Sequence, residues 1–235
     1  MESNISTSWL TVDSASGGSF DAYVCLPPSG FGPGVLILQE IYGVNEHIKT
    51  VCEQYALDGF VAVSPDVFWR QEKMVDLPYD ENGTSKGLEL FSNLNINLVA
   101  ADLQRTVEAI RHIPSCSGKV GSVGFCMGGL LSFVSAARAG VETAVCYYGT
   151  KIDEHLSWVE DITCPILFHF AENDEYIKKN VISKIATKFK NKQTRIIMHN
   201  NSSHGFNCWR RSSWNQPVAT TARGQTLVHL MESLS

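Results

Sequence analysis

The chain has 235 residues, 44% of them hydrophobic, with a formal net charge of -5 and a pI near 5.8. That apolar content can bury a large core, and the acidic balance, with no Lys/Arg run beyond Arg210-Arg211 and the isolated lysines around 178–192, excludes an electrostatic nucleic-acid surface. No apolar stretch reaches the roughly 18–20 residues of a membrane span, and "MESNISTSWLTV" lacks the basic-then-apolar order of a secretory leader.

"SWLTV" and "FDAYVCLP", separated by "DSASGG", predict an antiparallel hairpin on a sheet edge. Val35–Leu38 then opens a series of short apolar runs, continued by Val61–Val63, Val120–Phe125, Ala144–Tyr148, Ile166–Phe170 and Arg195–His199. The runs are nearly continuous rather than alternating, which suits strands covered on both faces in a parallel sheet. Helical patterns lie between them. "HIKTVCEQYALDGF" is one, and "LVAADLQRTVEAIRHI" carries a stripe of Val99, Leu103, Val107 and Ile110. "EYIKKNVISKIATKFK" repeats the pattern with Ile177, Val181 and Ile185, and "VATTARGQTLVHLMESL" predicts a last helix with Gly224 as its weak point. Polar, turn-rich "DLPYDENGTSKG" (76–87) predicts a loop or lid. Strands alternating with helices, without repeats or shifts in composition, predict one α/β domain over 1–235: a mostly parallel central sheet, helices on both faces, and an N-terminal antiparallel hairpin.

The seven cysteines form no CxxC and no Cys/His cluster at zinc spacing. This predicts a reduced, cytoplasmic setting without metal or organic cofactor. Cys25, Cys52, Cys116, Cys146, Cys164 and Cys208 then act as small buried hydrophobes. Cys126 differs. In "KVGSVGFCMGG" an apolar strand passes through G-x-C-x-G directly into a helix-like run. That is the cysteine form of the nucleophile elbow, in which a strained turn lifts the nucleophile above the sheet. The amide of Met127 then points at a substrate oxyanion, and the helix N-terminus favours a thiolate. A tight turn holding a buried cysteine is the bland alternative. A dinucleotide loop needs G-x-G-x-x-G, which is not supplied.

An elbow predicts the chain order nucleophile, acid, histidine. Asp174 follows the strand "PILFHF" and His204 follows "TRIIMH", each just beyond a strand's carboxyl end, where open α/β sheets place their sites. Asp174 also suits a helix N-cap, Glu172 and Glu175 are neighbouring acids, and His199 competes with His204. His169 lies within a strand and reads as a core histidine. The second oxyanion donor is expected from the loop after Val35–Leu38, with the Ile41 amide the natural position. Glu40 beside it is either an ordinary loop carboxylate or one that points inward beside the nucleophile.

"LQEIYGVNEHI", "SPDVFWRQ", "KVGSVGFCMGG", "YYG", "LFHFAENDEYI" and "SSHGF", in that order, resemble the dienelactone hydrolase family of α/β-hydrolases from about residue 20 onward. The resemblance implies Cys126 as nucleophile, His204 as base and Asp174 as its orienting acid. It also implies Ile41 and Met127 amides as the oxyanion hole, and an interaction of Glu40 with the resting cysteine. The archetype of the family clamps its substrate's carboxylate with two arginines. The corresponding positions here are "DENGTSK" at about 80–86, without arginine, and Cys208, four residues after the histidine. Arg210, Arg211 and Arg70 are substitutes by proximity, or surface residues, and Trp69 and Phe206 are candidate apolar contacts. The expected activity is hydrolysis of a small-molecule ester or lactone, with only weak preference for anions, by a monomer or small homo-oligomer that engages neither nucleic acid nor membrane. A degenerate hydrolase fold used for binding is a rival reading. So is a redox protein using Cys126 with Cys146 or Cys208 as resolving thiol.

Overall fold

Strand β1 (Ser6–Asp13) pairs antiparallel with β2 (Ser19–Leu26), Trp9 opposite Tyr23 and Val12 opposite Phe20, in the computed structural model, which describes residues 5–235. The first four residues of the stretch read for a leader lie outside that range. β2 pairs antiparallel with β4 (Val61–Pro65). All remaining pairings are parallel, and the order across the eight-stranded sheet is β1-β2-β4-β3-β5-β6-β7-β8. β3 (Gly32–Leu38) and β5 (Cys116–Phe125) lie at its centre, followed by β6 (Thr143–Tyr147), β7 (Ile166–Ala171) and β8 (Thr194–His199).

From β3 the chain runs through α1 (Glu46–Leu57) outward to β4, then returns past β3 through α2 (Glu81–Ser92) and α3 (Ile96–Arg111) to β5. The winding direction thus reverses between β3 and β5, and a crevice opens at their carboxyl ends. Glu40 and Ile41 follow one of those ends and Cys126 the other. Every residue of α4 (Met127–Val134), which starts there, is buried, as its mostly apolar surface requires, with the Ser132 hydroxyl satisfied by Ser122 at 2.8 Å. α5 (Lys179–Lys188) and α6 (Gln216–Leu234) complete the fold.

Two expectations need correction. Residues 81–87 are not loop but the first part of α2. Asp80 is its N-cap, accepting from the Gly83 amide at 2.8 Å, and Glu81 supplies an acid in the first turn. The glycines that suggested a turn serve packing instead: Gly87 lies against Ile41, buried on the face turned to the sheet. At α5 the helix starts at Lys179, later than its apolar stripe suggested, because Asp174 organises residues 174–177 as a turn.

Gly224 sits in mid-helix, exposed, with open space where a Cβ would project. Gly224→Ala is therefore expected to stabilise the protein by roughly 0.5–1 kcal/mol, read as a raised urea midpoint at unchanged m-value.

Behind the crevice a buried polar chain fastens α6 to the sheet. His169 Nδ1 meets His199 Nε2 at 2.9 Å, and His169 Nε2 meets Thr226 Oγ1 at 3.1 Å. Thr226 also contacts the Tyr147 hydroxyl at 2.6 Å, and His229 Nε2 contacts Thr143 Oγ1 at 2.8 Å. Burial pushes the pKa of His169 and His199 down, and that of His229 to about 4. These groups are neutral in both states above about pH 6.5. Below it the unfolded chain takes up protons that the native state refuses, so stability falls as the pH drops toward 4. His229 alone accounts for roughly 3 kcal/mol of that loss. Urea unfolding at pH 7.5 and 4.5 should therefore show a smaller pH difference for His229→Gln than for the wild type. Equal differences would contradict this account.

Candidate active site

Between β5 and α4, Cys126 holds φ 57 and ψ -116. That conformation costs a non-glycine residue on the order of 1–3 kcal/mol and persists only when its surroundings impose it. The Cys126 amide donates to Tyr147 O at 3.0 Å, and its carbonyl accepts from Gly129 N at 2.9 Å. The flanking glycines are required by contact. A Cβ on Gly124 would lie 1.8 Å from Gly128 O, and one on Gly128 would lie 2.1 Å from Leu38 O. The elbow is thus wedged against both central strands. Met127, the first helical residue, has an amide that precedes the helix's own hydrogen-bond ladder.

The loops after β7 and β8 are zipped together. Glu172 N donates to His199 O, Asn173 N to Ser202 O, and Asn201 N to the Glu172 carboxylate. Glu172 is thereby spent on its own loop. Asp174 divides its oxygens: Oδ1 accepts from the amides of Tyr176 and Ile177, and Oδ2 accepts from His204 Nδ1 at 2.9 Å. It caps a turn, while Lys178 is the N-cap position of α5. Both side chains of the His204–Asp174 pair are 1% exposed. His204 Nε2 is buried without a conventional partner, on the ring that the Cys126 sulfur influences. Burial opposes charge on His204, but the sulfur and Asp174 overcome it and raise its pKa to about 10. His199, the competing histidine, bonds His169 inside the polar chain behind the crevice.

Glu40 does point inward, yet its carboxylate is not hydrogen-bonded to Cys126. Arg211 Nη1 donates to Oε1 at 3.1 Å and the Tyr79 hydroxyl to Oε2 at 3.2 Å. A carboxylate 1% exposed needs such a counter-charge, and Arg211 is held firmly protonated because Glu40, Cys126, Tyr42 and Tyr148 together outweigh the penalty of burial. Gly205, at φ 80 beside His204, makes room for the guanidinium: a Cβ there would lie 2.6 Å from Arg211 Nη1.

Cys126, His204, Ile41 and Arg211 line one cavity of about 280 Å³. Leu88 and Phe91 of α2 form an apolar wall, Tyr176 stands beside His204, and Lys151 lies over the Phe91 ring at 4.6 Å. These wall residues escaped the sequence reading. The available signal was Asp80-Glu81 as a helix start followed by Leu88, Leu90 and Phe91.

Four expected contacts lie elsewhere. Arg70 pairs with Asp102 and with Ser14 and Ser16, far from the elbow in the β1–β2 corner, because a buried carboxylate there claims its charge. Trp69 donates to the same Asp102 and stacks on Phe20. Phe206 is fully buried beneath Tyr148 and supports the site from behind. Arg210 is exposed at a separate cleft by His47 and Asp76. Of the two proposed resolving thiols, Cys146 is buried within β6 and Cys208 beside Glu40 and Tyr79, and neither is in a disulfide.

The Dienelactone hydrolase family model matches residues 20–234. The chain belongs to the dienelactone hydrolase family. It is an enzyme of ester and lactone hydrolysis with an α/β-hydrolase fold. It is 33% identical over 224 residues to a carboxymethylenebutenolidase of a Pseudomonas species, covering 94% of this chain and 93% of the relative. Against carboxymethylenebutenolidase 1 of Cupriavidus pinatubonensis it is 32% identical, covering 93% and 94%. Among solved structures, a dienelactone hydrolase-like promiscuous phosphotriesterase from metagenomic libraries superposes with a TM-score of 0.82 over 97% of this chain and 99% of that one, at 18% identity, a likeness of fold alone. Among the described residues no helix is long and apolar enough to cross a membrane.

Proposed function

We propose that this dienelactone hydrolase-family enzyme cleaves carboxylic esters and lactones by acyl transfer to Cys126. The observation that carries the reading is the elbow cysteine sharing a cavity with a buried histidine that Asp174 already holds by Nδ1. With the sulfur ionised, His204 carries the thiol's proton at Nε2, as its raised pKa beside that sulfur implies, and the sulfur attacks the carbonyl carbon. The oxyanion is received by the amides of Ile41 and Met127, each such donor typically worth about 2.7–4 kcal/mol. Collapse breaks the ester C–O bond, and His204 returns its proton to the departing alkoxide. In a lactone that alkoxide remains on the acyl chain as a hydroxyl. Water, deprotonated by His204, then releases the acid and restores the thiol. Asp174 keeps the imidazole in the tautomer that leaves Nε2 free and stabilises the imidazolium. Seven cysteines without a disulfide support a reducing, cytoplasmic setting.

For the substrate, the placement of Arg211 revises the expected indifference to charge. Among the described residues only one of its guanidinium N–H groups is engaged in a hydrogen bond, that to Glu40, and the guanidinium lines the cavity with the nucleophile. The others suit a substrate carboxylate, while the apolar α2 wall suits a compact carbon skeleton. A charge-assisted hydrogen bond is worth about 1.5–3 kcal/mol. Arg211→Ala is thus expected to lower kcat/KM for an anionic lactone roughly 10- to 100-fold more than for a neutral ester of similar size. Comparing the two substrates cancels general damage to the site. An unchanged ratio would remove Arg211 from substrate recognition.

A further inference from the structure

We propose that Glu40, His47 and Cys208 form a binding site for a thiophilic divalent cation of the zinc type, behind the catalytic cavity. The three residues come from the loop after β3, from α1 and from the loop after β8, so no spacing motif joins them. In the fold one ligand atom from each lies within 4.8 Å of the others, and all three residues are buried. His47 Nδ1 is buried without a hydrogen-bond partner. A polar atom left so is costly in a native structure unless something absent from the chain satisfies it. The ring is held edge-on against Trp209, with centroids 4.1 Å apart, so it does not turn away freely.

Thiolate, imidazole and carboxylate together are a zinc donor set. At ordinary bond lengths of about 2.0–2.3 Å, tetrahedral ligands stand about 3.5 Å apart. A contraction of at most about 1.3 Å therefore closes the site, within the reach of side-chain rotation. Binding replaces the Cys208 S–H proton with the metal, and that proton leaves to solvent. Glu40 and the Cys208 thiolate then match the ion's two positive charges. The surrounding charges are mixed: Arg211 and Arg210 oppose a cation, while Glu46 and Asp76 line the outer cleft with His47, Tyr79 and Arg210. That cleft, of about 330 Å³, reaches the site at His47 and Tyr79 and so offers a way in. An ion here draws Glu40 away from Arg211, the side chain proposed above to meet the substrate.

The test uses the full chain carrying Cys126→Ala, so that neither the nucleophile nor turnover contributes. Metal-stripped, reduced protein is dialysed against zinc chloride. One zinc per chain is expected. His47→Ala and Cys208→Ser, each added to that parent, should weaken binding by at least the roughly 10- to 100-fold typical of losing even an outer partner of a metal. No zinc retained by the parent, or equal retention in both folded double variants, overturns the proposal. Should a variant lose its native circular dichroism, cobalt(II) loaded into the parent decides. A tetrahedral spectrum with thiolate-to-metal charge transfer supports the site, and an octahedral spectrum without it overturns it.

Discussion

Cys126→Ala is expected to abolish hydrolysis and to leave the fold intact. The loss is expected to be large because in the proposed reaction the sulfur is the atom that bonds to the acyl group; removing the nucleophile of a comparable triad costs on the order of 10⁶-fold in kcat. Stability changes little, because alanine and cysteine carry the same Cβ into the same left-handed backbone at φ 57, and the flanking hydrogen bonds to Tyr147 O and from Gly129 N are main-chain. Cys126→Ser retains at most a trace, since an alcohol is a far weaker nucleophile at neutral pH. Steady-state rates on an activated ester, with thermal melts of each variant, measure both halves. A wild-type rate in the alanine variant would remove Cys126 from the reaction.

Asp174→Asn is expected to slow the chemical step by roughly 10⁴-fold, the scale found when an orienting acid is lost from a serine triad, and His204→Gln by on the order of 10⁶-fold, the scale for loss of a triad's base. The asparagine keeps a carbonyl oxygen for the amides of Tyr176 and Ile177, so the turn survives. It presents an NH2 to His204 Nδ1, however, and turns the imidazole to the wrong tautomer. The double variant is expected to be little worse than His204→Gln alone, because the pair acts as a unit. Glu172→Gln serves as the control. Its carboxylate accepts from Asn201 N, a bond that glutamine's carbonyl can keep. A large loss in Glu172→Gln with none in Asp174→Asn would mean that the acid had been misassigned.

The sheet was legible in the sequence because its strands are doubly covered and so nearly continuously apolar, as at Val35–Leu38 and Val120–Phe125. The elbow was legible because its geometry leaves no room for side chains at Gly124 and Gly128. The positions of Asp174 and His204 followed from the strand ends. Less local features were hidden. α2 begins with polar residues and glycines, and its apolar residues come only in its second half. Arg211 and Arg70 are alike as sequence, and the difference lies in which carboxylate each meets: Glu40 at the crevice, Asp102 at the hairpin corner. Whether Glu40 points inward was left open by its sequence, and its bond to Arg211 was hidden because that arginine arrives from a loop 171 residues away. Partnerships between remote loops follow from topology, which a local pattern does not encode.

The most direct measurement is the mass of the enzyme quenched during turnover of an activated ester. The account predicts one added acyl group, released by neutral hydroxylamine as a thioester is, on the peptide containing Cys126 and absent from Cys126→Ala. An acyl group on any other residue, or the same adduct in the alanine variant, would contradict it.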